Sequence, residues 1–480
     1  MEKNPTWCGW RRGRFTKTGG ASGYSDPLRH PGKEVCAIWL KETAVTRNGE
    51  KIRYCQLIQT QYTGRGSSRQ RLVLSLGRAD RLDTAALREM AAQITQGKTD
   101  VLTPWLLSVL PGVREYGPVS LLLQAMESLT LPRFWEEAAQ KAGAGAGAVE
   151  ALTALTAYYL LSYQRGTPFF HWMDQCYVPC REQLGEEALR EGAGLLLDRQ
   201  FLHPALAAQA GRAMEGEDWG FSYAVPCQYD FLPEDRPWDA LFLLSGEDVP
   251  LDWGLWGCSQ TKRMEEIPRR SVLLTRDPEL MARQGLGPDN CRFICGSPTG
   301  EPPAFVRDDE EIAAFLREEG EFLPFREYGY RERQFGALRA VILRSASGPA
   351  AALTQWHKEP RELILTNTGL PVEKVLEKLL LLDKVLDIIH PVYLTEDLQF
   401  LRLWYSPGEI LEMLGGMQFL QLFLCLYLGR RLSRCGTTLD DALSALGGIR
   451  CVPLRWEGGQ VLLTTPADSR QQEILGGFGR

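Results

Sequence analysis

Histidine is scarce in this chain, five among 480 residues, and no His-Glu-x-x-His stretch offers the paired imidazoles of a zinc hydrolase. A P-loop and a Gly-x-Ser-x-Gly elbow are missing as well, which removes the commonest phosphate-cradling and serine-nucleophile motifs. Long apolar runs are also lacking. The best, Met417 to Leu428, is about 12 residues against the roughly 20 that a spanning helix needs, and it reads as a buried core helix. The opening MEKNPTWCGWRRGRF has basic residues but no apolar stretch of the secretory kind, so a cytoplasmic address and no membrane partner are expected. No internal repeat marks a solenoid.

What is present fits a multi-domain globular protein. Hydrophobic residues make up 44% and charged residues 24%, enough apolar material for two or three buried cores. Twelve cysteines are scattered at irregular spacing, a pattern of reduced thiols more than of a disulfide framework. Two Cys-x3-Cys pairs, Cys176/Cys180 and Cys291/Cys295, lack the second pair that a closed four-ligand zinc site needs and read as small buried hydrophobes. His171, beside Trp172, reads as a partly buried core histidine.

Charge is uneven along the chain. Residues 1 to 100 carry 18 Lys/Arg against 9 Asp/Glu, so a local charge of +9 sits on a remainder of −15 within the net −6. That is the footprint of a basic module holding DNA, or of an ordinary solvated face.

The pattern divides the chain. Residues 1–33, rich in Gly, Ser, Arg and Pro and including Arg12 and Arg14, are expected to be a flexible basic arm or an over-long translation start. Residues 34–82 alternate apolar and polar around Asn48-Gly49 and Gly64-Arg65-Gly66, which predicts a small three-stranded β module. Helical spacing then runs over 83–216, with Thr84 as a candidate N-cap. After Glu217 strands return, in WGFSYAVPCQYDF, WDALFLLSG, VPLDWGLWG, SVLLTRD and CRFICG, and the reading is an α/β core over 217–300 and 361–446. Residues 301–360 are an insertion, and 447–480 a C-terminal hairpin and tail.

Several segments in collinear order resemble the DDE-type insertion-sequence transposases, the IS-four-like superfamily and its IS-sixteen-thirty-four group. They are YCQLIQTQYTGRGSSRQRLVLSLGRADRLD, YGPVSLLLQAMESLTLPRFWEEAA, DRPWDALFLLSGEDVPLDWGLWGCSQ, ILTNTGLPVEKVLEKL and the closing LSALGGIRCVPLRWEGGQVLLTTPADSRQQEILGGFG. The similarity runs from about Ala37 to the C-terminus. It implies an α/β fold: a ribonuclease-H-like catalytic core with an inserted β region, preceded by the β module and an all-α domain serving DNA binding and dimerisation. It also implies DNA (element ends) as partner, a homodimer, and Mg²⁺ held by three carboxylates for in-line phosphoryl displacement. Arg69, Arg71 and Arg78 are then candidate DNA contacts.

The three acid positions of the family fall on other residues here. Ala224 follows Tyr223 where the first Asp belongs, Thr275 precedes Arg276 where the second does, and Leu386 stands at the Glu counted from Thr366-Asn367-Thr368. Nearby acids are the candidate catalytic substitutes: Asp230, Asp277 and Asp387, with Asp230 and Asp277 also the candidate metal ligands. Asp277 lies two residues beyond its slot, which keeps the face of a strand, whereas Asp387 is turned about 100° around a helix. The expectation is a transposase-family protein that keeps fold and DNA contact and is impaired in, or devoid of, strand cleavage.

Overall fold

The computed structural model describes residues 37–47, 50–63, 67–145, 147–161, 167–179, 181, 184–197, 220–227, 238–256, 271–345, 361–389, 394, 396–456 and 459–477. Residues 1–33 with Arg12 and Arg14, Cys180 and the candidate Asp230 lie outside them.

In chain order, strands β1 (Ala37–Arg47), β2 (Glu50–Thr63) and β3 (Ser67–Arg78) precede helices α1 (Thr84–Thr95) and α2 (Pro104–Val109), and the two-residue strand β4 (Arg114–Glu115). Helices α3 (Gly117–Ser128), α4 (Leu131–Ala142), α5 (Ala148–Leu161), α6 (Phe169–Gln175) and α7 (Glu186–Gly194) follow. Next come β5 (Phe221–Cys227), β6 (Trp238–Leu244), β7 (Pro250–Trp256), β8 (Val272–Thr275), α8 (Pro278–Arg283) and β9 (Arg292–Ser297). The 301–360 region holds α9 (Glu310–Arg317), β10 (Leu323–Phe325), β11 (Tyr328–Phe335) and β12 (Leu338–Ser345). Then β13 (Arg361–Thr366) leads to α10 (Val372–Ile388), α11 (Pro407–Ser433), α12 (Leu439–Leu446), β14 (Arg450–Trp456), β15 (Gly459–Thr464) and α13 (Ser469–Gly476).

The chain packs into two compact units, one of 1–125, 170–183 and 430–480, the other of 126–169 and 184–429. Residues 83–216 are thus shared between them.

In the first unit β1-β2-β3 form an antiparallel sheet, the hairpins expected around Asn48-Gly49 and Gly64-Arg65-Gly66. Its inner face, with Ile38, Leu40, Cys55 and Leu57, packs on Leu87, Met90 and Ile94 of α1. The cap of α1 is Asp83, not Thr84: its carboxylate accepts from Ala85 and Ala86 N–H, both at 3.0 Å. A carboxylate fits the positive end of a helix better than a hydroxyl does. A second sheet, β15-β14-β4, adds Val452, Leu454, Val461 and Leu463 to the same core. His171 departs from expectation. It is exposed on α6, with its ring 2.9 Å from the Gln175 amide, because the buried face of that helix belongs to Trp172 and Met173.

The second unit is built on a nine-stranded mixed sheet, β10-β11-β12-β13-β9-β8-β5-β6-β7. Strands β5, β6 and β7 are an antiparallel meander, β8 runs parallel to β5 on its other side, β9 runs parallel to β8, and β13 returns antiparallel to β9. Side chains alternate between the faces. One face carries Ala224, Leu241, Leu273, Phe293 and Leu363 against Leu280 and Met281 of α8 and Ile312 and Phe315 of α9. The opposite face meets α10, whose buried Lys378 lies 4.3 Å over the Phe221 ring and donates to the Gly246 carbonyl at 3.0 Å.

Helix α11 is 27 residues long, with an 18-residue window of mean hydropathy 1.5 that is 78% buried inside the protein. The apolar run at 417–428 is its centre. Cys291 and Cys295, four residues apart along extended chain, are separated by about 13 Å and share no ion.

Candidate functional site

Open α/β sheets bind ligands at the carboxyl ends of their parallel strands, and here that places attention on the end of β8. The strand stops at Thr275 for a local reason. The Thr275 hydroxyl accepts from the Asp277 N–H at 2.9 Å and donates to the Asp277 carbonyl at 3.2 Å, closing a turn. Asp277 then caps α8, accepting from Glu279 N–H at 2.9 Å, with Pro278 in the first helical position.

Asp277 is engaged a second time. Its other oxygen receives the Arg283 guanidinium at 2.8 Å, and the same guanidinium nitrogen reaches Asp239 of β6 at 3.4 Å. Asp239 is only 1% exposed, and its second oxygen has no hydrogen-bond partner among the described residues. Burial pushes its pKa above the usual carboxylate range; Arg283 works against the shift and Asp277 adds to it. Burial works against the charge of Arg283, yet its two carboxylates outweigh that and raise its pKa. Cys295 sits in the same core with its thiol pushed up to about 12, first by burial and then by Asp277.

The other face has a matching arrangement. Arg276, next after Thr275, points toward α10 and gives two hydrogen bonds to Asp383, at 2.8 and 2.5 Å. It also pairs with Glu362 at the start of β13. Gly296 lies beneath this group, where a Cβ would meet the Arg276 guanidinium at 2.7 Å and Glu362 at 2.8 Å. Each face of the sheet therefore carries, at the end of β8, two carboxylates closed around one arginine.

The three residues that the resemblance sets at acid positions, Ala224, Thr275 and Leu386, lie apart in this frame. Ala224 is 2% exposed inside the core of Leu241, Leu273 and Met281. Thr275 is buried, two residues on from Leu273 and hence on the Ala224 side. Leu386 is half-buried on α10, which packs on the Phe221 side, and Asp387 beside it is exposed. Two positions lie on one face and the third belongs to a helix on the other. Among the described residues no group of three or more His, Cys, Asp or Glu side chains is placed to hold a metal ion.

Thr366-Asn367-Thr368 has a structural task. The Asn367 amide accepts from Phe293 N–H at 2.8 Å and donates to the Pro288 and Cys291 carbonyls at 3.1 and 2.8 Å, while the Thr366 hydroxyl donates to the Phe293 carbonyl at 2.7 Å. These bonds clamp β13 onto the entrance of β9. Of the basic candidates, Arg69 is exposed on the edge strand β3, Arg71 is half-buried, and Arg78 is occupied by Asp80 at 3.0 and 2.9 Å. Sequence reasoning missed Asp239, Arg283, Asp383 and Glu362, whose partners are distant along the chain and leave no local spacing signal.

No protein-family model matches the chain, and no curated protein matches it.

Proposed function

We propose that this chain is a DNA-binding relative of the DDE-type insertion-sequence transposases that no longer cuts DNA, acting in the cytoplasm on element ends as a homodimer. The arrangement at the end of β8 carries the reading. Asp277, the acid beside the second of those positions, is committed to Arg283 and to a helix cap, Arg276 is closed in by Glu362 and Asp383, and the positions themselves hold Ala224, Thr275 and Leu386. In support of a ribonuclease-H-like core stands the order of the strands, an antiparallel meander of three with two parallel strands added beside the first and a long helix after an inserted β region.

The residues present do not suit Mg²⁺. That ion takes oxygen ligands in octahedral array and competes poorly with a guanidinium already seated in a carboxylate pair.

The test is a gel shift and a nicking assay, run with the full chain and duplexes cut from the DNA on either side of its gene, with Mg²⁺ or Mn²⁺. Retarded, uncut DNA is the expected result. Nicking that disappears in Asp277→Ala overturns the non-cleaving half of the reading, and absence of any shift overturns the DNA-binding half.

A further inference from the structure

A group of arginines gathers in the first unit. Strand β4 pairs with β14 so that Arg114 stands opposite Cys451 and Glu115 opposite Arg450. Cys451 shares a face of β14 with Arg455, since they are four residues apart on a strand. Beyond β4 the chain after α6 is fastened alongside, through Tyr177 N–H to the Glu115 carbonyl at 2.8 Å and the Gln460 amide to the Tyr177 hydroxyl at 2.7 Å. Gln460 in turn accepts from Arg455 at 3.0 Å. Arg181, four residues beyond Tyr177, lies close enough to Arg114 and Arg455 for their charges to act on it.

Arg450 is matched by Glu115 at 2.7 Å and Arg181 by the exposed Asp174, whereas Arg114 has no hydrogen-bond or ion-pair partner among the described residues. Burial, followed by the nearby charges of Arg114 and Arg455, lowers the pKa of Arg181. Half-buried like charges held by a rigid sheet are costly until an anion joins them.

We propose that Arg114 and Arg455, on one face of this small sheet, together with Arg181 of the segment after α6, seat backbone phosphates of duplex DNA. Planar guanidinium forks match phosphate oxygens two at a time. Along β14 the roots of Arg114 and Arg455 are about 13 Å apart, too wide for one small anion and suited to a row of phosphates. The proposal rests on the DNA-binding reading and gives it a location, one that lies outside Arg69, Arg71 and Arg78.

Binding of the full chain to a fluorescein-labelled 20-base-pair duplex, followed by anisotropy across a NaCl series, tests it. Arg114→Gln, Arg181→Gln and Arg455→Gln should each reduce the slope of log K against log salt by about 0.9, the value for one lost phosphate contact. The corresponding Lys variants should keep the slope, which separates lost charge from lost folding. Lys141→Gln, an equal charge change on the exposed side of α4, should leave it unaltered. If wild type binds and the three Gln variants behave like Lys141→Gln, this location is wrong while DNA binding stands. If wild type does not bind the duplex at all, both fail.

Discussion

Arg276 and Asp383 are joined by two near-parallel hydrogen bonds, at 2.8 and 2.5 Å, from the end of a central strand to the helix that covers it. The fork is bidentate, the geometry in which an arginine–carboxylate pair is strongest. Replacing Arg276 by Met should lower unfolding free energy by about 2 kcal/mol, because two partly buried carboxylates lose their counter-ion. Urea denaturation checks this. Arg276→Met combined with Asp383→Leu should recover part of the loss, and strict additivity would show that the pair is not coupled.

On the proposed reading, acids placed at positions 224, 275 and 386 should not confer DNA cleavage. Ala224→Asp puts a carboxylate among Leu241, Leu273 and Met281, where burial of an unpaired charge costs about 3 kcal/mol. Leu386→Glu adds its acid on the other side of the sheet. The triple variant Ala224→Asp, Thr275→Asp, Leu386→Glu should melt earlier than wild type and leave duplex DNA intact in Mg²⁺. Nicking by that variant would mean that the three positions converge.

Asp239 should give a distinctive pH dependence. Its pKa is raised in the folded state, so the folded protein holds the proton more tightly than the unfolded chain does. The resulting stabilisation is complete below the unfolded value of about 3.9 and is lost as pH rises through the folded value. Urea titrations of wild type and Asp239→Asn between roughly pH 4 and 7 should show wild type losing stability relative to the variant as pH rises. A difference that grows in the opposite direction contradicts the burial argument.

The thiols should fall into two classes. Burial pushes Cys291 up to about 11 and Cys295 and Cys451 up to about 12, so almost no thiolate is present at neutral pH. Cys425 and Cys435 are partly exposed. Iodoacetamide on the native protein, read by peptide mass spectrometry, should label Cys435 well before Cys291, Cys295 or Cys451. Early labelling of Cys295 would place it outside the core.

Local signals in the chain carried some elements and not others. The β1-β2-β3 hairpins were legible because Asn48-Gly49 and the apolar alternation beside it act over a few residues. Helix α13 had an equally local signature, Asp468 and Gln471 forming a capping box, yet it was read as tail. Asp277 was misleading for a related reason. An acid directly before Pro278-Glu279 is a helix-start signal, and only the turn at Thr275 shows that the strand has ended before it, so a shift of two no longer preserves a face. The arginine clasps were beyond sequence reasoning. Arg276 meets Asp383, and Arg283 meets Asp239, only after the sheet has chosen its strand order.

That order also governs how the chain must assemble. β5 cannot gain its parallel neighbour until β8 has been made, and β9 remains an open edge until β13 arrives from beyond the whole inserted hairpin, with Leu363 opposite Ser297. Such late pairings slow folding and prolong the interval in which an apolar strand lies uncovered. Substituting Asn367 by Ala, which removes the bonds that hold β13 to β9, should therefore slow recovery of native protein from denaturant.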